Sequence, residues 1–350
     1  MIENLTIENY RSFKSYSMNG LKRVNLLTGY NNSGKSSLLE AVELLASAGD
    51  PTRLLEISQR RNEHFSEESH GDSIVGCIDS FFGNYGVEFI GPQVRIDSED
   101  TRFVMRRSLS SATGPNGIPE RIVVLECDRE GHEQIQIAIP IDSQGRFSIG
   151  QSSRRFRSDW AEAFSAVEFV GTQNLVVSKI AEVWDKVQLS RSEKEAAESL
   201  QILDDRVERI AFVSSSLHKK GMHLGLRGEK TITPIGSHGE GMQRLLALAL
   251  HLATVKGGIL LVDEIDTGLH YSVLADMWKL VIATAIKNDI QVFATTHSLD
   301  CLRGLNEACE RNPEFASEVS TQTIDRNLDV AIAGDATDLR SALDLGIEVR

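Results

Sequence analysis

The eight residues from Gly29 to Ser36 constrain the fold of this chain more than any other stretch. They read Gly-Tyr-Asn-Asn-Ser-Gly-Lys-Ser and match G-x-x-x-x-G-K-S, a phosphate-binding loop that follows a strand and opens a helix. The apolar run at 24–27 predicts the strand, and apolar residues at 38, 41, 42 and 45 recur at helical spacing. The stretch, called the phosphate loop below, therefore predicts an α/β fold with an anion site between strand and helix.

Each residue type in the phosphate loop serves a separate need. Backbone N–H groups at a helix N-terminus, aided by the helix dipole, surround a triphosphate. Gly29 and Gly34 let the backbone turn and approach the phosphates without a Cβ in the way. Lys35 supplies a charge for the β and γ phosphates, and the Ser36 hydroxyl is placed to ligate Mg²⁺. We therefore expect ATP and Mg²⁺ to bind this loop. The candidate nucleotide-binding residues are Gly29, Asn31, Asn32, Ser33, Gly34, Lys35, Ser36 and Ser37.

Length and composition limit the remaining possibilities. The chain has 350 residues, enough for about two domains or for one domain with a large insertion. No stretch is long and apolar enough for a membrane span and the N-terminus has no signal peptide, so we expect a cytoplasmic protein without a membrane partner. The four cysteines lack metal-site spacing and predict reduced thiols. A net charge of −13 argues against a surface that binds nucleic acid throughout, although a local basic groove stays open.

A second group of candidates lies in the C-terminal half. The apolar run at 259–262 predicts a strand buried on both faces of a parallel sheet, and it ends in Asp263 and Glu264. Asp263 at the end of this strand would support Mg²⁺, and Glu264 would polarise an attacking water. Because a buried acidic pair without partners is costly, a purely structural role explains the pair poorly.

Two further segments flank the acidic pair. Residues 234–244, the signature segment below, open an apolar helix that we predict to end near Thr254. Their small residues and free N–H groups repeat the logic of the phosphate loop. Residues 291–298 predict another strand with a polar end, at which His297 stands.

The N-terminal run LTIENYRSFKS…VNLLTGYNNSGKSSLLEAVELL resembles the start of ABC-like ATPases of the RecF, SMC and overcoming-lysogenization-defect (OLD) type. The motifs keep that family's order, and the resemblance covers roughly 1–50 and 230–305. It implies an ABC-type ATPase head, a P-loop NTPase with an N-terminal antiparallel β-subdomain and a short helical arm insertion. The family's long coiled coil is absent, since no heptads are sustained.

The resemblance also implies roles for individual residues. The signature segment stands where the family binds the γ-phosphate held by the opposite subunit. Gly239 replaces the usual serine, with Ser237 nearby and Gly241 following, and which residue of the segment contacts the phosphate stays open. His297 matches the histidine that senses the γ-phosphate, and Glu264 matches the catalytic carboxylate. Residues 265–270 end in Gly-Leu-His as OLD-type ATPases commonly do, whereas ABC transporters have aspartate at position 270. These matches imply catalysis by Glu264 and His297, with Ser36 and Asp263 on the metal.

The resemblance and the patterns together predict a division of the chain. The ATPase core would comprise 1–50 and 230–305, with a β-rich insertion at 51–170, a helical arm and signature-side subdomain at 171–229, and a C-terminal β-hairpin and helix at 306–350.

Several local predictions go with this division. Asn19-Gly20 predicts a hairpin turn, residues 108–119 an exposed loop, and residues 174–210 a pair of helices. Gln93 is one candidate for the family's metal-contacting glutamine. The arginine-rich stretch at 152–160 fits a solvated loop better than a nucleic-acid contact.

Three uses of such an ATPase compete. The first is a head-to-head dimer that gates a separately encoded effector, such as a TOPRIM-type nuclease, in defence against phage. The second is a RecF-like DNA-repair ATPase that binds DNA directly. The third, a transporter ATPase, is disfavoured by His270 and by the N-terminal strands. A non-enzymatic scaffold fits least, because Lys35, Asp263 and Glu264 are all intact.

Overall fold

The computed structural model describes residues 1–66, 74–83, 91–113, 119–148, 166–172, 183–188, 191–213 and 221–346. The strands are β1 Leu5–Tyr10, β2 Phe13–Met18, β3 Val24–Thr28, β4 His64–Ser66, β5 Ile74–Cys77, β6 Val94–Asp97, β7 Thr101–Thr113, β8 Pro119–Arg129, β9 Ile135–Pro140, β10 Arg146–Ser148, β11 Val167–Val170, β12 Val207–Val213, β13 Gly221–Leu226, β14 Thr233–Pro234, β15 Ile259–Val262, β16 Gln291–Thr295, β17 Val319–Thr323 and β18 Ile332–Gly334. The α-helices with assigned bounds are α1 Lys35–Ala46, α2 Pro51–Arg60, α3 Arg191–Leu200, α4 Glu240–Thr254, α5 Leu274–Asn288, α6 Leu299–Arg311 and α7 Ala336–Asp344. None of these helices is long and apolar enough to cross a bilayer.

The core sheet has six strands in the order β11-β15-β16-β3-β17-β18. All neighbours are parallel except β17 and β18, which form an antiparallel hairpin. Strands β15, β16 and β3 are buried along their whole length, as the apolar runs predict. Parallel strands place their carboxyl ends at one edge, so the segments after β15, β16, β3 and β17 converge there.

Two hydrophobic clusters cover the two faces of the core sheet. Leu260 and Val262 of β15 pack into one cluster with α4, α5 and α6. Ile259 and Leu261 point the other way, into a cluster with α1 and the antiparallel sheet. This alternation makes β15 a central strand between two layers and fixes the direction of the chain as it leaves Val262.

The antiparallel sheet has the order β2-β1-β6-β7-β8-β9 and confirms the N-terminal β-subdomain. The hairpin turn predicted at Asn19-Gly20 is wrong. Strands β1 and β2 turn at residues 11–12, because Tyr10 pairs with Phe13 and both are buried. Asn19-Gly20 lies in the connection from β2 to β3, and β3 belongs to the core sheet.

Two other local predictions need correction. Most of the exposed loop predicted at 108–119 is instead β-strand. Strand β7 continues to Thr113, which pairs with Pro119 at the start of β8. Only 114–118 lie outside the described residues. Of the helical pair predicted at 174–210, residues 174–182 and 189–190 lie outside the described residues and α3 is a helix. The end of the second helix is wrong, because Val207 starts β12, which pairs with β13. Cross-strand pairing overrides local composition in both places.

The C-terminal predictions are confirmed. Strands β17 and β18 form the hairpin around Asn327, and α7 runs from Ala336 to Asp344, with Gly346 at φ +64° just beyond it. All four cysteines lie in the described ranges and are free, as predicted. The arginine-rich stretch at 152–160 lies outside the described residues. The division into domains stays a prediction, and strands from outside 1–50 and 230–305, namely β11, β17 and β18, join the core sheet.

Candidate functional site

The phosphate loop connects β3 to α1 and leaves no space at its two glycines. Gly29 has φ +135°, and a Cβ built on it would lie 2.4 Å from the main-chain oxygen of Ile324. Gly34 has φ +102° and caps α1, and a Cβ there would lie 2.4 Å from the Phe13 ring. Both positions therefore require glycine for backbone conformation and for close packing.

Lys35 lies along the inside of the phosphate loop. Its Nζ donates hydrogen bonds to the main-chain oxygens of Gly29 at 2.7 Å and Tyr30 at 2.9 Å. Burial lowers the pKa of Lys35 to about 8, while the nearby carboxylates of Asp263 and Glu264 oppose that shift. The ammonium group is thus held in the curve of the loop, close to where the backbone N–H groups of α1 begin.

Asp263 faces the start of α1. The Ser36 hydroxyl donates to its two carboxylate oxygens at 3.3 and 3.2 Å, and Thr295 Oγ1 donates to Asp263 Oδ1 at 2.7 Å. A hydroxyl beside a carboxylate is the oxygen donor set that Mg²⁺ accepts, with phosphates and water completing its shell. The described residues hold no cluster of three or more His, Cys, Asp or Glu that would form a cage for a metal. Ser36 and Asp263 therefore fit Mg²⁺ bound together with a phosphate.

Glu264 turns away from Asp263. Its φ of +48° is unusual for a residue with a side chain, and its amide donates to Thr295 Oγ1 at 2.8 Å. Thr267 Oγ1 donates to Glu264 Oε2 at 3.3 Å, and His297 Nε2 lies 3.8 Å from Glu264 Oε1. The left-handed turn thus separates the acidic pair, with Asp263 facing Ser36 and Glu264 facing His297.

These groups share one open cavity of about 280 Å³ at the carboxyl edge of the core sheet. Of the predicted site residues, the structure brings together Asn32, Ser33, Gly34, Lys35, Ser36, Ser37, Asp263, Glu264 and His297 on its wall. Among the described residues, Gly29, Asn31, Gln93, Gly239 and Gly241 do not line it. A second cavity, of about 100 Å³, lies at the opposite, amino ends of β15 and β16 and contains none of the motifs.

The signature segment starts α4 as predicted, away from this cavity. Gly239 precedes the helix at φ +92°, and no described atom lies within 4 Å of a Cβ built on it. Gly241 instead packs closely, because a Cβ there would lie 2.8 Å from the main-chain oxygen of Gly268. The start of α4 is therefore open on one side and rests on residues 265–270 on the other.

Arg244 is a structural member of the site that the sequence analysis missed. It is buried on α4 and donates to the main-chain oxygens of Gly171 at 2.6 Å, Asp263 at 2.7 Å and Glu264 at 2.7 Å. Burial lowers its pKa. An arginine next to the apolar run of a buried helix was the available signal. Arg244 links the signature helix to the backbone of the acidic pair.

Further cations on the cavity wall were also missed. Arg11 Nε lies 2.6 Å from Glu40 Oε2, and Arg61 Nε lies 2.6 Å from Glu40 Oε1. Arg61 also donates to Ser37 Oγ at 3.2 Å. The buried Glu40 of α1 thus holds two arginines at the cavity, and no local spacing pattern connects positions 11, 40 and 61. Arg326, from the turn between β17 and β18, lines the cavity as well.

Comparison with known proteins agrees with this geometry. The family described as "AAA domain, putative AbiEii toxin, Type IV TA system" matches residues 24–302. A Helicobacter pylori protein named ATP/GTP phosphatase is 24% identical over 348 residues, which cover 91% of this chain and 90% of that protein. The DNA replication and repair protein RecF of Acinetobacter baylyi is 34% identical over 74 residues, 21% of this chain and 19% of RecF.

Among solved structures, an SMC head bound to the C-winged helix domain of ScpA is similar in fold. Its TM-score is 0.52 at 14% identity, over 98% of this chain and 99% of that one. This likeness confirms the predicted ABC-type head, and the family match covers most of the chain. The chain belongs to the AAA-domain family named above and is an ATPase with the fold of an SMC head.

Proposed function

We propose that this chain is an ATP-hydrolysing switch, in which two heads meet face to face and form two composite sites. One observation carries the proposal: Lys35, Ser36, Asp263, Glu264 and His297 lie on the wall of one cavity. They come from three separate segments of the chain, and each has the chemistry that phosphoryl transfer to water needs.

The chain's own residues divide the work. The loop N–H groups and Lys35 bind the phosphates, and Ser36 with Asp263 would hold Mg²⁺, which neutralises phosphate charge. Glu264 orients the attacking water and accepts its proton. His297, beside Glu264, senses the terminal phosphate and helps hold the same water. Thr295 donates to Asp263 and accepts from the Glu264 amide, so it keeps the two carboxylates in their separate directions.

The open side of the signature segment supports the dimeric part of the proposal. Gly239 and Glu240 are exposed, and the first N–H groups of α4 have no side-chain cap. Free N–H groups at a helix start attract an anion, and a terminal phosphate on a second head supplies one. ATP would then hold two heads together, and hydrolysis would release them, because only the triphosphate reaches both surfaces.

We propose two alternative roles for this switch in the cell. In the favoured one, the head controls a separately encoded effector nuclease in defence against phage, which is in keeping with a family description that names a toxin. The alternative is direct DNA binding, in keeping with the partial similarity to RecF. Salt-sensitive binding of DNA by the pure protein would select the alternative, because phosphate contacts release counterions.

The test compares the purified wild type with Lys35→Ala, at matched purity. We expect Mg²⁺-dependent release of phosphate from ATP by the wild type and its loss in the variant, because the phosphates lose their cation. A plasmid incubated with the wild type, ATP and Mg²⁺ or Mn²⁺ should stay intact. Phosphate release that persists in Lys35→Ala would refute the ATPase site. Plasmid cleavage that disappears in Lys35→Ala would refute the need for a separate nuclease.

A further inference from the structure

We infer that Arg326, in the turn between β17 and β18, contacts the terminal phosphate of the bound nucleoside triphosphate and makes the site prefer triphosphate over diphosphate. This inference rests on the proposed function, since it adds a residue to the same site. Arg326 belongs to none of the predicted motifs. It shares the cavity wall with Lys35, Glu264 and His297.

The chain reaches this position by running beside the phosphate loop. Strand β17 is parallel to β3, with Thr323 opposite Thr28. The Thr28 and Thr323 hydroxyls lie 3.0 Å apart, and the Ile324 amide donates to the Thr28 oxygen at 2.9 Å. The Ile324 oxygen is the atom that leaves no space for a Cβ on Gly29. The segment that carries Arg326 therefore packs directly against the start of the phosphate loop.

The turn itself is held on its other side too. The Asp325 carboxylate accepts from the Asn327 amide at 2.9 Å and from its side-chain nitrogen at 3.0 Å. The Ser17 amide donates to the Asp329 oxygen at 3.0 Å, and the Ala331 amide donates to the Ser17 oxygen at 2.9 Å. Because the turn is fixed to both β3 and β2, the backbone at Arg326 is placed before any ligand binds.

Charge distinguishes Arg326 from the other arginines of the cavity. Arg11 and Arg61 face Glu40, and Arg11 also pairs with Glu63 at 3.0 Å. Arg326 is exposed, and none of the described residues forms an ion pair or hydrogen bond with its guanidinium. A planar guanidinium binds two phosphate oxygens at once, which makes the terminal phosphate a matching partner.

The residues that share the cavity with Arg326 point to the terminal phosphate as its partner. The segments after β15, β16, β3 and β17 place Glu264, His297, the phosphate loop and Arg326 around one cavity at neighbouring strand ends. In the proposed function, Glu264 and His297 hold the water that attacks the terminal phosphate. Strand β17 lies on the other side of β3 from β15 and β16, so Arg326 faces Glu264 and His297 across the cavity. A terminal phosphate between them would be the partner of Arg326, and removing the γ-phosphate would remove that partner.

The experiment measures equilibrium binding of ADP and of a nonhydrolysable ATP analogue to wild type, Arg326→Ala, Arg326→Lys and Arg303→Ala. Arg303 is an exposed arginine of α6 paired with Asp300, and it serves as the matched control. In Arg326→Ala, the Kd of the analogue should rise about tenfold, since a charged hydrogen-bonding partner is lost, while the Kd of ADP stays close to wild type. The Kd of the analogue for Arg326→Lys should lie between those of the wild type and Arg326→Ala, because lysine keeps the charge and lacks the planar guanidinium.

Two results would overturn the assignment: equal weakening of both ligands, which indicates a disturbed turn, or no change in either. Binding by Lys35→Ala distinguishes a failure of the Arg326 assignment from a failure of the proposed function. If the wild type binds the analogue and Lys35→Ala does not, the nucleotide site stands whatever Arg326 does. If the wild type binds neither nucleotide, the proposed function itself fails.

Discussion

The phosphate loop and the signature segment both place glycines and free N–H groups at a helix start, yet their surroundings differ. Gly29 and Gly34 are enclosed by Ile324 and Phe13. The side chains predicted to bind phosphate and activate water line one cavity beside them. Gly239 has no described atom within 4 Å of where a Cβ would be. The predicted phosphate-binding residues are thus enclosed within one chain, whereas the signature segment ends at an open surface.

A buried arginine joins the two halves. Arg244 reaches from α4 to the main-chain oxygens of Asp263 and Glu264, so the open half is bonded to the backbone that positions both carboxylates. One buried side chain therefore joins the signature helix to the acidic pair. Each prediction below separates the enclosed half from the open half or tests the link between them.

The largest effect is expected at Glu264. Glu264→Gln should lower kcat for ATP hydrolysis by about 10²- to 10⁴-fold, because the water loses its base, while the Kd for ATP stays near the wild-type value. Steady-state phosphate release and equilibrium binding measure the two quantities. Wild-type turnover by this variant would place the catalytic carboxylate elsewhere.

Removing the Arg244 side chain should lower the free energy of unfolding. Arg244→Leu removes the arginine donor from the main-chain oxygens of Gly171, Asp263 and Glu264, of which the Glu264 oxygen keeps the Thr267 amide at 3.1 Å. We expect the free energy of unfolding to fall by about 3 kcal/mol. Urea denaturation measures the change, with Arg303→Leu as an exposed control expected within about 0.5 kcal/mol of wild type. A change no larger than that of the control would show that the two halves are not joined through Arg244.

A smaller effect should appear with pH in the enclosed half. Because burial lowers the pKa of Lys35 to about 8, the free protein loses this positive charge as pH rises through that value. Nucleotide binding favours the charged form, so affinity for ATP should be nearly constant below pH 7 and fall about tenfold between pH 7 and pH 9. Lys35→Arg stays charged and should bind with little dependence on pH over that window. A flat wild-type profile would contradict the role of Lys35 as a titrating phosphate ligand.

In both halves, the sequence predicts local patterns and misses contacts between distant residues. The phosphate loop and the acidic pair are local patterns, and the parallel sheet brings them together as expected. Glu40 with Arg11 and Arg61, and Arg244 with its three carbonyl groups, are contacts between residues far apart in sequence, which no local spacing reports. Asn19-Gly20 failed as a turn because the burial of Tyr10 and Phe13 sets the register of the hairpin.

The central claim is that the open signature segment completes a site on a second head, and the mass of Glu264→Gln in solution tests it most directly. Light scattering after size exclusion should give a dimer with ATP and Mg²⁺ and a monomer with ADP, since only ATP bridges the two surfaces. Adding Ser237→Arg, which places a bulky side chain at an exposed position of the signature segment, should leave a monomer that still binds ATP. The matched change Ser341→Arg, on the exposed surface of α7, should leave the dimer intact. An ATP-dependent dimer that persists with Ser237→Arg, or that breaks equally with Ser341→Arg, would contradict the account.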